Sequence, residues 1–548
     1  MRKNLRVLSI TATICGLLTM ASTAWGADVV KSDMKVNVNG KPSDLASVSQ
    51  LVDSSLYAPY ESVAKSLNVE AKWDAGTRTM ILKKDVNVME LAADAAEVKL
   101  NGVKVTTATP LQVLSGKPFL PVRLVSEVFG NTIGYEDKSR TVSVSIPDKP
   151  GFRLFGIGDR QALAGSELSV TAITYNHLLK DFAQNKDPKA GEGHVHLWLD
   201  TETTPQAAVK SFKGESVVFK DIPPGEHTLT VQLVGNDHKP IQPEVKQVVK
   251  FQSAKVSILA DLDPEKATGM RIEGVTGDAK GQLYTVDSDS RKLFRISSQN
   301  GKVEELTVLS RAATGMVFDK AGNLYMASGS GTDGGAILRV LAKDLEGGSF
   351  DASVVETFVT GVTGANGMTF DEKGNLYVSG GANGNVYIVS PEGSLINTWG
   401  SGLVAERTDQ RITVNGLAFG QDRKLYIANT SSGEISRVAL NADGSFGKPE
   451  LFVRDALLYG ADGIAFGTDG TLYVCANERN AIVKVTPDGK VMEVASNGNA
   501  GLLEFPASVH VIGDTLYISN FDVQRGVNNP NTPGIGASIA QVVLKEKK

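Results

Sequence analysis

Cysteine is nearly missing from this chain. Of 548 residues only two are cysteine, Cys15 and Cys475. Cys15 lies in an apolar N-terminal stretch, so a single cysteine remains beyond it and an internal disulfide framework is excluded. Stability must come from core burial. Cys475 follows Leu472-Tyr473-Val474 and reads as a small buried hydrophobe in a strand. Net charge is small too: 56 Lys and Arg against 61 Asp and Glu leave −5. That offers no electrostatic case for a nucleic acid or anionic lipid partner. No segment after residue 26 is long and apolar enough to span a bilayer. There is no GxSxG nucleophile elbow and no HExxH zinc motif. What is present is ordinary globular material, 41% apolar and 21% charged. The length exceeds one core, and roughly three or four domains are expected.

Residues 1–26 read as a signal peptide. Arg2, Lys3 and Arg6 form a basic start, Val7 to Met20 the apolar stretch, and Ala24-Trp25-Gly26 a small-x-small cleavage site. Ala12-Thr13-Ile14 before Cys15 fits lipid attachment poorly. The expectation is an exported bacterial protein, secreted or held at the cell surface, with no membrane span after cleavage.

From about residue 255 to 548 one phrase recurs six times. It reads EGVTGDAKGQLY, TGMVFDKAGNLY, NGMTFDEKGNLY, NGLAFGQDRKLY, DGIAFGTDGTLY and SVHVIGDTLY. A Gly, once Ser508, opens an apolar run, a polar turn follows, and a Leu-Tyr pair closes it. The Tyr-to-Tyr steps run from 41 to 52 residues, the period of a β-propeller blade. Between the phrases lie further strands such as KLFRISS, NVYIVSP and AIVKVTP. Each blade therefore has about four strands. The opening KVSILADL and the terminal SIAQVVLK are both strand-like, and one of them is expected to close the ring by pairing across the ends. The residue before each opening position varies: Glu273, Thr314, Asn366, Asn415, Asp462 and Ala507. A repeated scaffold carrying unrepeated polar residues at one place suggests a site on the propeller axis. Asn-Gly and Asp-Gly are favoured turn pairs in any propeller, but Glu-Gly is not.

This pattern resembles the senescence-marker-protein, gluconolactonase and regucalcin-like family. The resemblance implies a six-bladed propeller with one divalent metal in its channel. It implies ligands at Glu273, Asn366, Asn415 and Asp462, with Thr314 and Ala507 non-liganding. Two carboxylates and two amide oxygens form a hard set suited to Ca²⁺, with Mg²⁺, Mn²⁺ or Zn²⁺ as alternatives. Asp462 is then also the expected catalytic base. Departures fall on the substrate side: Glu273-Gly274-Val275-Thr276 replaces the family's Glu-Gly-Pro, and Thr363-Gly364-Ala365 carries no Arg. Sugar-lactone specificity therefore does not carry over. His510, the propeller's only imidazole, is expected to pack within its strand.

Residues 31–148 contain a second repeat. Asn39-Gly40 recurs as Asn101-Gly102, Pro59 as Pro121, Trp73 as Tyr135 and Arg78 as Arg140, each at an offset of 62. Each half reads as strands, a Pro-started helix and a hairpin. The words PFLPVRLVSEVFG and VEAKWDAGTRTMIL resemble the copper-amine-oxidase-like N-terminal domain of exported bacterial proteins. Residues 34–148 contain no histidine, so copper chemistry is not expected there. The resemblance implies an attachment module for a cell-envelope component.

Five of the six histidines fall in the next segment, 151–253: His177, His194, His196, His227 and His238. GEGHVHLWLD places His194 and His196 on one face of a strand. Asn236-Asp237-His238 marks a hairpin tip. Alternating apolar runs and Pro-Gly turns suggest an immunoglobulin-like sandwich. Two or three imidazoles on neighbouring strands can hold Zn or Cu, yet the spacing matches no named motif.

The whole is therefore read as mainly β. The expected order is a signal peptide (1–26), a duplicated α+β module (31–148), a β-sandwich (151–253) and a six-bladed propeller (255–548). The expected function is metal-dependent hydrolysis of a small lactone or ester outside the cytoplasm. The alternative is a non-catalytic surface propeller, NHL-like, that binds a ligand or protein.

Overall fold

The computed structural model describes residues 29–264, 269–329, 334–441, 444–496, 502–521, 523 and 535–545. The expected signal peptide, with Cys15, lies outside the described residues. The chain divides into two compact units. The first takes residues up to Asp159, Glu167–Ile222 and His227–Phe251; the second takes Arg160–Ser166, Pro223–Glu226 and everything from Gln252. The duplicated module and most of the histidine-bearing segment are thus grouped together. Among the described residues no helix is long and apolar enough to cross a membrane.

In the first unit the repeat is visible in the backbone. Strand Ser55–Pro59 leads into helix Tyr60–Leu67, and strand Lys117–Pro121 into helix Val122–Val128. Pro59 and Pro121 are the N-caps, where a missing N–H costs nothing. The two copies pair with each other, antiparallel, with Ala58 opposite Leu120, its own equivalent at offset 62. That is a local two-fold arrangement within one chain. Left-handed backbone recurs at the same offset, at Asn39 and Asn101 and at Arg78 and Arg140. One core joins Val63, Leu67, Met80 and Leu82 with Leu120 and Val125, and takes in Phe155 and Ile173 from the following segment. That segment forms two sheets. One is three-stranded, from Gly151–Phe155, Leu168–Tyr175 and Val217–Phe219. The other centres on the antiparallel pair Glu192–Leu199 and Gly225–Gly235.

The second unit is the propeller. Five consecutive four-stranded antiparallel sheets run from Ile272–Gly277 to Val491–Ser496. The sixth blade is Pro506–Ile512, Thr515–Asn520 and Ser538–Val543, and its outer strand comes from residues 255–261 of strand Lys246–Asp261. The two expected closing strands therefore pair with each other, and both ends of the propeller share one blade. The Leu-Tyr signature has a packing reason. Leu283, Leu324, Leu376, Leu425, Leu472 and Leu516 are all wholly buried, and the tyrosines after them are nearly so. Tyr284, Tyr325, Tyr377 and Tyr426 each donate to an Asp in the turn of the same phrase, at 3.1 to 3.4 Å. The same rings meet a Phe of the next blade edge-on at 5.0–5.1 Å, as in Tyr284–Phe318 and Tyr426–Phe466. Such edge contacts contribute about 1 kcal/mol each beyond burial, so one residue type ties turn, blade and neighbour together. Cys475 is wholly buried in strand Leu472–Ala476, and burial followed by the nearby Asp462 charge pushes its thiol far up.

Candidate functional site

The opening glycines explain how the blades bring their polar residues together. A Cβ on Gly274 would lie 2.2 Å from the carbonyl oxygen of Thr314 in the next blade. Gly315 meets the Asn366 carbonyl at 1.9 Å, Gly367 that of Asn415 at 2.4 Å, Gly416 that of Asp462 at 2.3 Å and Gly463 that of Ala507 at 2.5 Å. No side chain fits at these distances, so only glycine lets adjacent inner strands approach this closely. In the sixth blade Ser508 replaces glycine, and its hydroxyl donates to the Val275 carbonyl at 3.4 Å. The carbonyls approached in this way belong to Thr314, Asn366, Asn415, Asp462 and Ala507, while the Glu273 carbonyl accepts from the Ser519 hydroxyl.

Glu273, Asn366, Asn415 and Asp462 line one cavity of about 100 Å³, walled by the inner strands of all six blades. Glu273 lies in Ile272–Gly277 and Asp462 in Ala461–Phe466. Asn366 and Asn415 stand just before Met368–Phe370 and Leu417–Phe419. Ala507 also lines the cavity, while Thr314 turns its hydroxyl to the carbonyls of Ala327 and Ala365. Asn366 Nδ2 donates to Glu273 Oε1 at 2.6 Å. Asn477 Nδ2 donates to Asp462 Oδ2 at 2.7 Å, and Asn415 also bonds that carboxyl. Asn415 Nδ2 further donates to Thr430 Oγ1 at 3.0 Å.

Two features of this arrangement ask for a cation. Burial, and then the neighbouring Glu273, push the Asp462 carboxyl well above the usual range. Burial also raises Glu273, against the lowering effects of Asn366 and Arg271. Two carboxylates in one buried cavity resist joint ionisation. The amide oxygens of Asn415 and Asn477 are buried without a hydrogen-bond partner. A buried acceptor left unmatched is costly, and a hard divalent ion would satisfy both the carboxylates and Asn415. The residues present therefore fit such an ion.

His510 departs from the expectation that it packs within its strand. It lines the cavity, and its Nε2 occupies the space over Gly277, where a Cβ would come within 2.4 Å. Gly277 supplies the room. Burial pushes this imidazole down to about 4, so it is neutral at ordinary pH.

Thr430 and Asn477 escaped the sequence reading. Both stand four residues after the phrase tyrosine, Tyr426 and Tyr473, at the end of the second strand. A comparison of the blades at that offset, where Tyr325 and Tyr377 are followed by Gly329 and Gly381, would have found them. Glu478, buried beside Asn477, accepts from Gln410 Nε2 at 3.3 Å and adds negative charge near Asp462.

The histidines of the first unit separate into distinct surroundings. His227 Nδ1 pairs with Asp200 Oδ2 at 2.6 Å, and its ring packs on Phe251. His177 is buried, and burial lowers its pKa. His194, His196 and His238 converge on one another.

Comparison with known proteins agrees with this architecture. Residues 272–520 match the SMP-30/Gluconolactonase/LRE-like region, and residues 37–144 the copper amine oxidase N-terminal domain. Lactonase drp35 of Staphylococcus aureus (strain MW2) is 27% identical over 222 residues, 38% of this chain and 63% of the relative. The match thus spans less than two thirds of that relative's length. Among solved structures, a luciferin-regenerating enzyme is 17% identical with a TM-score of 0.41, covering 53% of this chain and 95% of its own. A gluconolactonase from Xanthomonas campestris is 17% identical with a TM-score of 0.37, covering 53% and 89%.

Proposed function

We propose that this chain is an exported hydrolase of the gluconolactonase-like type that opens a small lactone or ester. One divalent cation, Ca²⁺ ahead of Mg²⁺, Mn²⁺ or Zn²⁺, would be held by Glu273, Asn366, Asn415 and Asp462. The observation that supports this most is their convergence on one cavity with the Asn415 amide oxygen buried and unmatched. When bound, the cation would supply Lewis acidity toward a carbonyl oxygen. Asp462 is the proton acceptor. Its carboxylate takes a proton from water as the new C–O bond forms at the carbonyl carbon, and returns it to the alcohol oxygen as the ring C–O bond breaks. Water and lactone become one hydroxy acid, with no redox change. Asn477 orients Asp462 through its 2.7 Å hydrogen bond. His510, neutral on the same wall, offers a polar contact to substrate oxygen. The N-terminal module, with no histidine between residues 34 and 148, takes no part in the chemistry and attaches the chain to the cell envelope.

A panel of lactones and aryl esters tests this with chelator, with Ca²⁺ restored and with serine-directed inhibitors. Turnover should vanish with chelator, return with Ca²⁺ and survive the inhibitors. In Asp462→Asn it should fall by roughly 10²–10⁴-fold, the usual worth of a positioned base. Absence of turnover on the panel while Ca²⁺ is bound would assign the propeller to ligand binding instead.

A further inference from the structure

Outside the propeller, the most unusual chemistry lies on the pair of strands Glu192–Leu199 and Gly225–Gly235. His194 and His196 stand two residues apart on the first strand, so both rings project from one face. The second strand ends at Gly235, and the chain folds back in a tight turn. The Gly235 N–H donates to the Lys239 carbonyl at 2.9 Å, and the His238 N–H to the Gly235 carbonyl at 3.0 Å. His238 takes a left-handed backbone, φ +63°, which an L side chain adopts at a cost. The turn delivers its ring onto the other two.

The three ring nitrogens form a small triangle. His194 Nε2 lies 3.0 Å from His196 Nε2 and 2.9 Å from His238 Nδ1, and His196 Nε2 lies 3.2 Å from His238 Nδ1. Hydrogen bonding cannot account for this. An imidazole nitrogen either carries a proton or offers an in-plane lone pair, never both. Among three such atoms at least two are alike, so at least one side of the triangle sets donor against donor or lone pair against lone pair. His194 and His196 are buried, and of the three rings only that of His238 is half-buried. A cation facing the three lone pairs removes the conflict on all sides. Nitrogens bound tetrahedrally at 2.0–2.1 Å lie about 3.3 Å apart, so the triangle needs to open by only a few tenths of an ångström.

We propose that His194, His196 and His238 bind one late first-row transition-metal ion, Zn²⁺ or Cu²⁺, at a site separate from the propeller cavity. Imidazole nitrogen favours these ions over Ca²⁺ and Mg²⁺. Among the described residues no Cys, Asp or Glu joins the group, so the site has three neutral protein ligands and a fourth position open to water or an anion. Aromatic rings wall it: Phe182 lies 4.7 Å from the His194 ring and 4.9 Å from His238, and Trp198 lies 5.2 Å from His196. His194 Nδ1 has no hydrogen-bond partner in its buried setting. Either tautomer leaves that atom unmatched, so it does not oppose metal binding. The half-buried His238 gives the ion a way in.

The test uses the full-length protein stripped with chelator, in an Asp462→Ala background that disables the oxygen-lined cavity. Zn²⁺ and Cu²⁺ are titrated separately by calorimetry, and bound metal is counted after gel filtration. One equivalent of Zn²⁺ or Cu²⁺ should bind, Ca²⁺ should not compete, and adding His238→Ala should weaken binding at least 100-fold. Equal affinity with and without His238, or no bound equivalent, overturns the assignment. Because the variant can fail to fold, Cu²⁺ paramagnetic resonance is also recorded on the chain with all its histidines. Hyperfine structure from three nitrogens is expected, and an oxygen-only signal refutes the site.

Discussion

In the propeller cavity burial drives carboxyl pKa values up; between the strands of the first unit it drives imidazole values down. Asp462 and Glu273 are raised, while His194 falls to about 3 and His196 to about 4. The cause is the same, since a dry setting penalises whichever form is charged. The consequences differ. The carboxyl cavity is strained as pH rises and gains most from a cation. The histidine trio is neutral at ordinary pH and gains from a cation only through its unmatched lone pairs. One is an oxygen set drawn from four blades, and the other a nitrogen set drawn from one strand and the turn after its partner.

The largest expected effects come from crossing the two sites. Asp462→Ala should abolish Ca²⁺ binding, because one of two ligand charges is lost, while His238→Ala should leave Ca²⁺ affinity unchanged. Calorimetry with each ion on each variant reads the full matrix, and any crossover would break the distinction. Next comes Gly315→Ala. Its Cβ would lie 1.9 Å from the Asn366 carbonyl, so backbone must shift, at a cost of about 3 kcal/mol in unfolding free energy and with weaker Ca²⁺ binding. Gly347→Ala, with nothing within 4 Å, is the control and should leave both unchanged.

A smaller effect is the response to pH. A carboxyl whose folded pKa is raised costs nothing while protonated, and more as pH climbs from the ordinary carboxylate range to the raised value. In chelator, Asp462→Asn should therefore gain melting temperature relative to the unsubstituted protein as pH rises above the ordinary carboxylate range. With saturating Ca²⁺ the order should reverse, because the ion uses the charge. Scanning calorimetry at several pH values checks both signs. His177, His194, His196 and His510, whose values burial lowers, act oppositely and lose stability as pH falls below about 6.5, but they are common to both proteins and cancel in the difference. The smallest effect belongs to His227→Gln. That ring pairs with Asp200 away from the trio, so Zn²⁺ affinity should change less than about twofold while stability drops by about 1 kcal/mol.

How much of this was legible in the sequence depended on repetition. The phrase around Leu283-Tyr284 recurs, so blade number, inner strands and the variable position before each glycine stood out. The 62-residue offset likewise exposed the paired halves of the first unit. Features that occur once were hidden. Thr430 and Asn477 lie beyond the repeated phrase, and their roles depend on strand ends meeting a side chain from the preceding strand. His510 faces the cavity because Gly277 on another blade leaves it space, which no local pattern records. The spacing of His194 and His196 declared one face of a strand, but the third ring arrives through a left-handed turn residue. The closing of the ring across its ends was legible from the strand-like first and last segments, and the structure pairs those two segments with each other.

That shared blade sets a timetable. Residues 255–261 must wait for Ser538–Val543 before their inner edge is paired. As the chain emerges, five blades can form in order, but the sixth, whose inner strand Pro506–Ile512 walls the cavity between Glu273 and Asp462, is complete only when Ser538–Val543 arrives. The wall of the cavity is thus completed only when the last strand has joined its blade. A chain interrupted before Ser538 would present two bare sheet edges to its neighbours instead of a closed ring.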